Sequence, residues 1–307
     1  MKNYSIAIFG SSLRSDFDKY SDKDLLIVAD DYKTLENLKT IYSKDDWSIS
    51  FYTYSKLEYL SKNGSLFIKH LQKESKIIAD KNDRLEGILN QFNPKIDYKN
   101  DINDCVNYFE IIKTVPNTRL GYAWFCDSLY VGLRNYLVFK NAENGIFEFS
   151  FIKLLKGLKG QGKIKQSDIE VLKELRVVKR NYREEILDEL PSLGFIKKVI
   201  PIAKAIGIIK TVQIIDSRTF QNIVDQDIIR KKFNPYQRLR LVEGYYCSQE
   251  LNIPELKKII SNPQFYASKM KDNDFTMNLI SKIKKRHTTS AITNAGRLPK
   301  NEGFTTK

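Results

Sequence analysis

The residues best suited to chemistry lie near the start of the sequence. Gly10 and Ser11 follow one short apolar stretch, and ten residues later Asp22 and Asp24 precede another. Glycine lets the main chain approach a phosphate closely, and a turn at this point can offer backbone N–H groups and a hydroxyl to phosphate oxygens. Two carboxylates two positions apart on a strand project from the same face and repel each other unless a cation lies between them. The segment therefore predicts a site for a phosphate chain and for Mg²⁺ (or Mn²⁺), which prefers hard oxygen ligands.

Two neighbouring residues extend this predicted site. We expect a helix to begin near Ser12, with the positive end of its dipole directed at the phosphates. Arg14 follows the turn, and it either holds the phosphate chain or lies on the surface. The predicted nucleotide-binding residues are thus Gly10, Ser11, Ser12 and Arg14, and the predicted catalytic and metal-binding residues are Asp22 and Asp24.

The elements that must position these residues alternate between strands and helices. Short apolar runs predict strands, and apolar residues at helical spacing predict the helices between them. The predicted strands are 6–9, 25–28, 47–53 and 76–79, and the predicted helices are 32–42, 55–60 and 65–72. We therefore predict an α+β fold, with a small mixed-sheet domain over residues 1–92, a linker at 93–103, a helical domain at 104–287 and a flexible basic tail at 288–307.

The helical domain is predicted from apolar residues at helical spacing and from capping residues. A helix containing Leu120 to Leu137 should end at Asn144-Gly145, and Ser167 to Glu170 have the form of a capping box that opens the next helix. The glycines at 157, 160 and 162 predict a flexible turn. Further helices are expected at 192–211, with a kink at Pro201, and at 218–233 and 235–247.

The spacing of Gly10, Ser11, Asp22 and Asp24 resembles the motif of nucleotidyltransferases in the DNA polymerase β superfamily, over roughly the first ninety residues. The resemblance implies transfer of a nucleoside monophosphate from an NTP, which we expect to be ATP, to an acceptor hydroxyl. The acceptor could be an RNA end, a protein or a small molecule.

A wider resemblance is to bacterial nucleotidyltransferase-domain proteins that have a helical C-terminal domain. The segments that carry it are 64–71, 127–131 and Arg134-Asn135. This wider resemblance implies a setting in toxin action or phage defence. Helical domains of this kind can be ribonucleases that need an Arg with a His a few residues later. Arg134 and Arg180 are not followed by such a His, so ribonuclease activity is disfavoured.

One departure from the superfamily motif concerns the third strand. The resemblance implies a third carboxylate there, but residues 47–53 contain no Asp or Glu. Ile49 and Phe51 should mark the core face of this strand, which leaves Ser48, Ser50 and Tyr52 on the other face. Another acid, Asp16, Asp18 or Glu74, could take the missing role. The alternative is a catalytically lapsed module that binds nucleotide, nucleic acid or a partner protein.

Composition favours phosphate-bearing partners. The formal net charge is +14 and the pI is about 9.4, as is common in proteins that bind nucleotides or nucleic acids. The three cysteines are far apart, which predicts buried reduced thiols and a cytoplasmic location. The most apolar stretch, 195–215, contains four lysines, so we expect no membrane association. The sequence leaves the oligomeric state open.

Two further sets of residues have more than one interpretation. His70 lies beside Phe67 and Leu71 in an apolar helix, so we expect a packed, hydrogen-bonded histidine rather than a catalytic base. Four basic residues of one helix could line a cleft or form a solvated face. They are Arg176, Lys179, Arg180 and Arg183.

Overall fold

The computed structural model describes residues 4–14, 23–42, 47–229, 233–249, 277, 278 and 281. Within these ranges the chain divides into two compact units, each of which takes two separate segments of the sequence. Unit 1 comprises Met1–Cys105 and Leu133–Lys173, and unit 2 comprises Val106–Gly132 and Glu174–Lys307. The linear domain boundaries drawn from the sequence, together with the basic tail outside the described residues, stay predictions.

Unit 1 is built on a four-stranded sheet. The strands are β1 (Tyr4–Phe9), β2 (Asp24–Ala29), β3 (Ser48–Thr53) and β4 (Ser75–Ala79). Their order is β3-β2-β1-β4, with β1 antiparallel to both of its neighbours and β2 parallel to β3. The α+β fold class and the small mixed sheet predicted from the sequence are confirmed.

Helices cover both faces of this sheet. The helices of the first hundred residues are α1 (Tyr32–Tyr42), α2 (Tyr54–Lys62), α3 (Leu66–Glu74), α4 (Arg84–Asn90) and the start of α5 (Lys99–Phe109). Leu26 and Val28 pack with residues of α2, α3 and α4, whereas Leu25 and Ile27 pack with residues of α1. Strand β3 follows the same division. Ile49 and Phe51 lie together on the α1 side, as expected, and Tyr52 lies on the opposite face, where it packs against the other core.

The rest of the described chain is mostly helical. The helices are α6 (Arg119–Ala142), α7 (Phe151–Gly160), α8 (Gln166–Arg183), α9 (Leu193–Ile206), α10 (Ser217–Ile229) and α11 (Pro235–Gln249). A short parallel pair, β5 (Thr114–Pro116) with β6 (Gln213–Ile215), was not predicted. Among the described helices, none has the length and apolar character that a membrane span requires.

Three local predictions need correction. Gly157 and Gly160 belong to α7, which ends at Gly160, and the turn that follows contains Gly162, whose φ is +71°. Helix α8 begins at Gln166, one residue before the predicted cap at Ser167. The capping carboxylate is that of Asp168, which accepts a hydrogen bond from the backbone N–H of Lys165 at 2.8 Å. Helix α9 ends at Ile206, before the predicted residue 211, because Gly207 adopts a left-handed conformation (φ +85°).

A buried ionic cluster organises unit 2. The carboxylate of Asp127 accepts hydrogen bonds from Arg183 at 2.9 Å and from Arg240 at 2.7 Å, and Arg240 also pairs with Glu243 at 2.7 Å. Burial alone would raise the pKa of Asp127, but the two arginines outweigh burial and lower it to about 2. The side chain of Arg183 is therefore held inside unit 2. It does not contribute to an exposed basic face on α8.

We predict that Asp127→Asn lowers the free energy of unfolding of unit 2 by about 3–5 kcal/mol, because it leaves buried guanidinium groups without their counter-charge. Buried Trp124, whose Nε1 donates to the Arg240 carbonyl at 2.9 Å, reports on this unit. The measurement is urea unfolding followed by tryptophan fluorescence in a Trp47→Phe background. Lys113→Ala, which breaks a half-exposed pair with Glu110, should cost about 1 kcal/mol or less. Equal losses in the two variants would contradict the structural importance of the cluster.

Candidate functional site

The candidate site lies at one edge of the sheet, where four strand ends meet. Phe9, the last residue of β1, pairs with Asp24 on one side and with Ser75 on the other. Asp24 in turn pairs with Ser48, the first residue of β3. Because paired residues project on the same side of a sheet, the side chains of these strand-end residues share one face.

The turn after β1 departs from the predicted helix. Gly10 has a φ of +80°, and residues Gly10–Leu13 form a single 3-10 turn that ends in extended backbone at Arg14. The Ser12 hydroxyl donates to the Phe9 carbonyl at 3.3 Å, and the Arg14 N–H donates to the Ser11 carbonyl at 3.1 Å. Four residues align too few peptide groups to build a helix dipole, so the expected dipole contribution from a helix near Ser12 was wrong for the described residues. Gly10, Ser11 and Ser12 form a compact turn beside the strand ends.

The Asp24 carboxylate lies directly against this turn. A Cβ atom added to Gly10 would lie 2.7 Å from Oδ2 of Asp24, closer than a methyl group can approach. The structure therefore brings together one acid of the predicted pair and the glycine of the predicted phosphate turn. A carboxylate oxygen beside a glycine main chain suits a hard divalent cation that also contacts phosphate.

The second acid, Asp22, lies outside the described residues, as do the alternative acids Asp16 and Asp18. Among the described residues, no group of three or more Asp, Glu, His or Cys side chains is arranged to hold a metal ion. The predicted assignment of Asp22 and Asp24 as metal ligands thus stays a prediction, supported by the placement of Asp24.

Arg14 makes an ion pair that the sequence did not predict. Its Nη1 donates to Oε2 of Glu74 at 2.7 Å, and Nε2 of His70 lies 3.1 Å from the same oxygen. Burial alone would raise the pKa of Glu74, but the hydrogen bonds from His70 and Arg14 outweigh it and lower the pKa, so the carboxylate stays charged. Glu74, one of the acids considered as a substitute for the missing carboxylate, is therefore engaged by Arg14 and His70.

His70 is packed as expected. Its ring stacks on Phe149 at 4.6 Å between centroids and meets Phe9 edge-on at 5.9 Å. Burial lowers the pKa of His70, with the nearby Arg14 and Arg134 acting in the same direction and Glu74 opposing them. The ring is therefore neutral near pH 7, and it joins helix α3 to the end of β1.

Beside Arg14 lies a cavity of about 410 Å³ that the sequence did not reveal. It is lined by Leu13, Arg14, Lys73, Glu74, Ser75, Glu148 and Lys153. The Nζ of Lys73 donates to the Phe147 carbonyl at 2.5 Å. Residues 148 and 153 are distant in sequence from the Gly10 turn. In the sequence, only the basic composition of the chain pointed to a site with several basic side chains.

Comparison with known proteins supports the class that the fold and turn suggest. Residues 1–80 match a family model described as a nucleotidyltransferase domain. The match confirms the predicted nucleotidyltransferase type, within the DNA polymerase β superfamily, for this part of the chain. It supports a general nucleoside-monophosphate-transfer activity. No curated protein matched the chain, and no solved structure matched it.

We predict that Gly10→Ala is more damaging than the left-handed backbone alone would make it, because the added Cβ must displace the Asp24 carboxylate. Gly145→Ala is the matched control. Its φ is +73°, and its Cβ would have open space. The control should lose about 1–2 kcal/mol of stability from backbone strain. Gly10→Ala should lose more and should also lose binding of a fluorescent ATP analogue. Equal stability losses and intact nucleotide binding would count against the Gly10–Asp24 contact.

A pH dependence follows from His70. Its pKa is lowered in the folded protein from the ordinary value of 6.5, so the unfolded chain takes up a proton first as the pH falls. The free energy of unfolding should therefore decrease as the pH falls below 6.5, by at most about 1.4 kcal/mol per pH unit from this group.

His70→Gln should flatten that decrease, as measured by urea unfolding followed by circular dichroism at several pH values. The lowered pKa of Glu74 acts at lower pH, below its ordinary value of 4.5. His287→Gln controls for loss of a histidine as such. An unchanged pH profile in the His70 variant would show that the ring does not titrate as proposed.

Proposed function

We propose that the protein is a metal-dependent nucleotidyltransferase that moves a nucleoside monophosphate from an NTP, with ATP as the expected nucleotide, to an acceptor hydroxyl. The observation that carries this proposal is the Asp24 carboxylate held against the Gly10 turn at the edge of the sheet. In the reaction the acceptor oxygen bonds to the α-phosphorus, the bond between the α- and β-phosphates breaks, pyrophosphate leaves, and the hydroxyl proton passes to solvent.

The residues of the turn bind and orient the nucleotide in this proposal. Gly10 and Ser11 offer backbone N–H groups to the phosphates, and Ser11 and Ser12 add hydroxyl groups. Asp24, together with Asp22, would hold Mg²⁺ or Mn²⁺, which supplies positive charge to the phosphates and lowers the pKa of the acceptor hydroxyl. Arg14, which donates to Glu74 through Nη1, would assist by donating to a phosphate oxygen.

A second candidate is a lapsed module that binds nucleotide, nucleic acid or a partner protein without turnover. The observation that favours it is the pairing of β2 with β3. Ser48 stands beside Asp24 and Ser50 beside Leu26, so no carboxylate follows along β3 on the face that Asp24 occupies. A hydroxyl at these positions adds no negative charge to a metal site.

The acceptor and the biological setting are further parts of the proposal. An RNA end, a protein side chain and a small molecule remain the candidate acceptors. The cytoplasmic location and the role in toxin action or phage defence stay predictions from the sequence.

We predict that Asp22→Asn with Asp24→Asn reduces transfer by more than the roughly 10–100-fold typical of a lost outer-shell partner of a metal site. The assay incubates the protein with each α-labelled NTP, Mg²⁺ or Mn²⁺, and cell RNA, protein and small molecules, and follows the label into each fraction.

The matched control is Asp30→Asn with Asp31→Asn, which removes the same charge at the other end of β2. Asp30 pairs with the half-exposed Arg84 there, and Asp31 accepts from the Thr34 N–H. Equal losses in both double variants would contradict the metal site. Nucleotide binding without transfer, for all four NTPs, would favour the module.

A further inference from the structure

Helix α7 has an unusual exposed surface. Its buried side is apolar and consists of Phe151, Leu154, Leu155 and Leu158. Its exposed residues are all lysine or glycine, and we call them the Lys–Gly face: Lys153, Lys156, Gly157, Lys159 and Gly160. The surface therefore combines positive charge with low side-chain bulk.

The positive charge of this face is balanced in part by one carboxylate, that of Glu148. No Asp or Glu occurs in the sequence between Glu148 and Asp168, whereas five lysines do, namely Lys153, Lys156, Lys159, Lys163 and Lys165. Lys153 lies 3.8 Å from Glu148, and Lys159 donates to the neutral Gln166 side chain at 2.9 Å. The ion pairs found in the described part of the chain include no carboxylate partner for the other lysines of this run.

The two glycines of the face make no close packing contact that requires glycine within the described part of the chain. A Cβ at Gly157 or Gly160 would meet nothing within 4 Å, and neither residue has a positive φ. Glycine weakens a helix relative to alanine, so these positions lose stability with no internal gain. Close approach of a ligand to the helix is a reason to keep glycine at such positions.

The face also reaches the candidate site. Lys153 lines the cavity together with Leu13 and Arg14, which follow the Gly10 turn. Within unit 1, basic side chains thus run from the exposed side of α7 to the cavity beside the proposed nucleotide turn, where Arg14 and Lys153 pair with the two carboxylates of the lining, Glu74 and Glu148. The apolar side of α7 is buried in the protein, so the helix has no free apolar face to insert into a membrane.

We propose that the Lys–Gly face binds the phosphodiester backbone of a nucleic-acid strand, and that the adjoining cavity receives the end of that strand as the acceptor. The binding surface stands independently, whereas the acceptor role rests on the proposed function. Lysine contacts to phosphates supply affinity without sequence preference, and they make binding depend on salt.

The test measures fluorescence anisotropy of labelled single-stranded RNA and DNA of the same sequence over a series of salt concentrations. The variant is Lys153→Ala, Lys156→Ala and Lys159→Ala. If three phosphate contacts are lost, the slope of log K against log salt should become less steep by about 2, and affinity should fall by roughly 10-fold or more at low salt.

The matched control changes three exposed lysines of helix α9, Lys197, Lys198 and Lys204, to alanine. It removes the same charge, and its affinity should stay within about twofold of the unchanged protein. Equal effects of the two triple variants would overturn the proposal, because they would show a response to net charge alone. Tighter binding of RNA than of DNA would identify the natural strand as RNA. Binding of neither strand would overturn the proposal.

Substitution of the two glycines separates strand binding from protein stability. Gly157→Ala with Gly160→Ala should melt at the same or a higher temperature, because alanine favours the helix and has room. The same variant should bind the strand more weakly, because the methyl groups keep the backbone away. A more stable protein with unchanged affinity would overturn close approach at α7.

The outcomes separate this proposal from the proposed function. The Asp22, Asp24 double variant should keep strand binding while losing transfer. A lysine variant that loses strand binding in a protein without any transfer activity would support the surface and reject the enzyme. A lysine variant that binds the strand normally, in a protein that transfers label, would reject the surface alone. Binding to phosphatidylserine vesicles in place of nucleic acid would also reject it.

Discussion

The Asp24 carboxylate can lie against the Gly10 main chain only if β1 and β2 keep their register. The pairing of Phe9 with Asp24 sets that register, and the apolar residues that follow Asp24 hold it by packing on both faces of the sheet. A slip by one residue would turn Asp24 to the opposite face and bring Leu25 to the turn. The two hydrophobic cores therefore do more than stabilise unit 1, because they fix which chemical group faces the Gly10 turn.

Arg14, Glu74 and His70 give the turn its second attachment. Glu74 ends α3 just before β4 begins, so the ion pair ties the chain after the turn to the start of the neighbouring edge strand β4. The charged state of Glu74 depends on both partners, and His70 is held by Phe149 and Phe9. If a phosphate chain drew Arg14 away, the half-buried carboxylate of Glu74 would keep His70 and lose Arg14. Glu74 and a phosphate chain would thus be two acceptors for the same guanidinium, and Glu74 sets its position before a phosphate arrives.

The sequence predicted features that depend on local pattern. The four strands, the main helices and the placement of Asp24 next to a glycine turn follow from alternation and spacing along short segments. Predictions were wrong where tertiary contacts decided the outcome. Gly157 and Gly160 suggested a turn, yet the buried leucines of α7 keep that segment helical. Strands β5 and β6 have three residues each, and β5 ends in Pro116. Segments this short show no alternation of apolar and polar residues from which a strand could be predicted. The cavity required residues from distant parts of the chain to meet.

Strand β3 decides how much negative charge the site can hold. Ser48 and Ser50 occupy the positions beside Asp24 and Leu26, and Glu74 is already engaged by two cationic or hydrogen-bonding partners. Among the described residues, the carboxylate that lies against the Gly10 turn is therefore that of Asp24, in a chain whose net charge is +14. Such a balance favours the binding of polyanions more strongly than a third carboxylate would. The proposed enzyme needs both a nucleotide at the Gly10 turn and the metal that Asp22 and Asp24 would hold, whereas the module needs only a bound nucleotide, nucleic acid or partner protein. Loss of the two acids would therefore remove transfer in the enzyme, and it would leave binding as the remaining activity of the module.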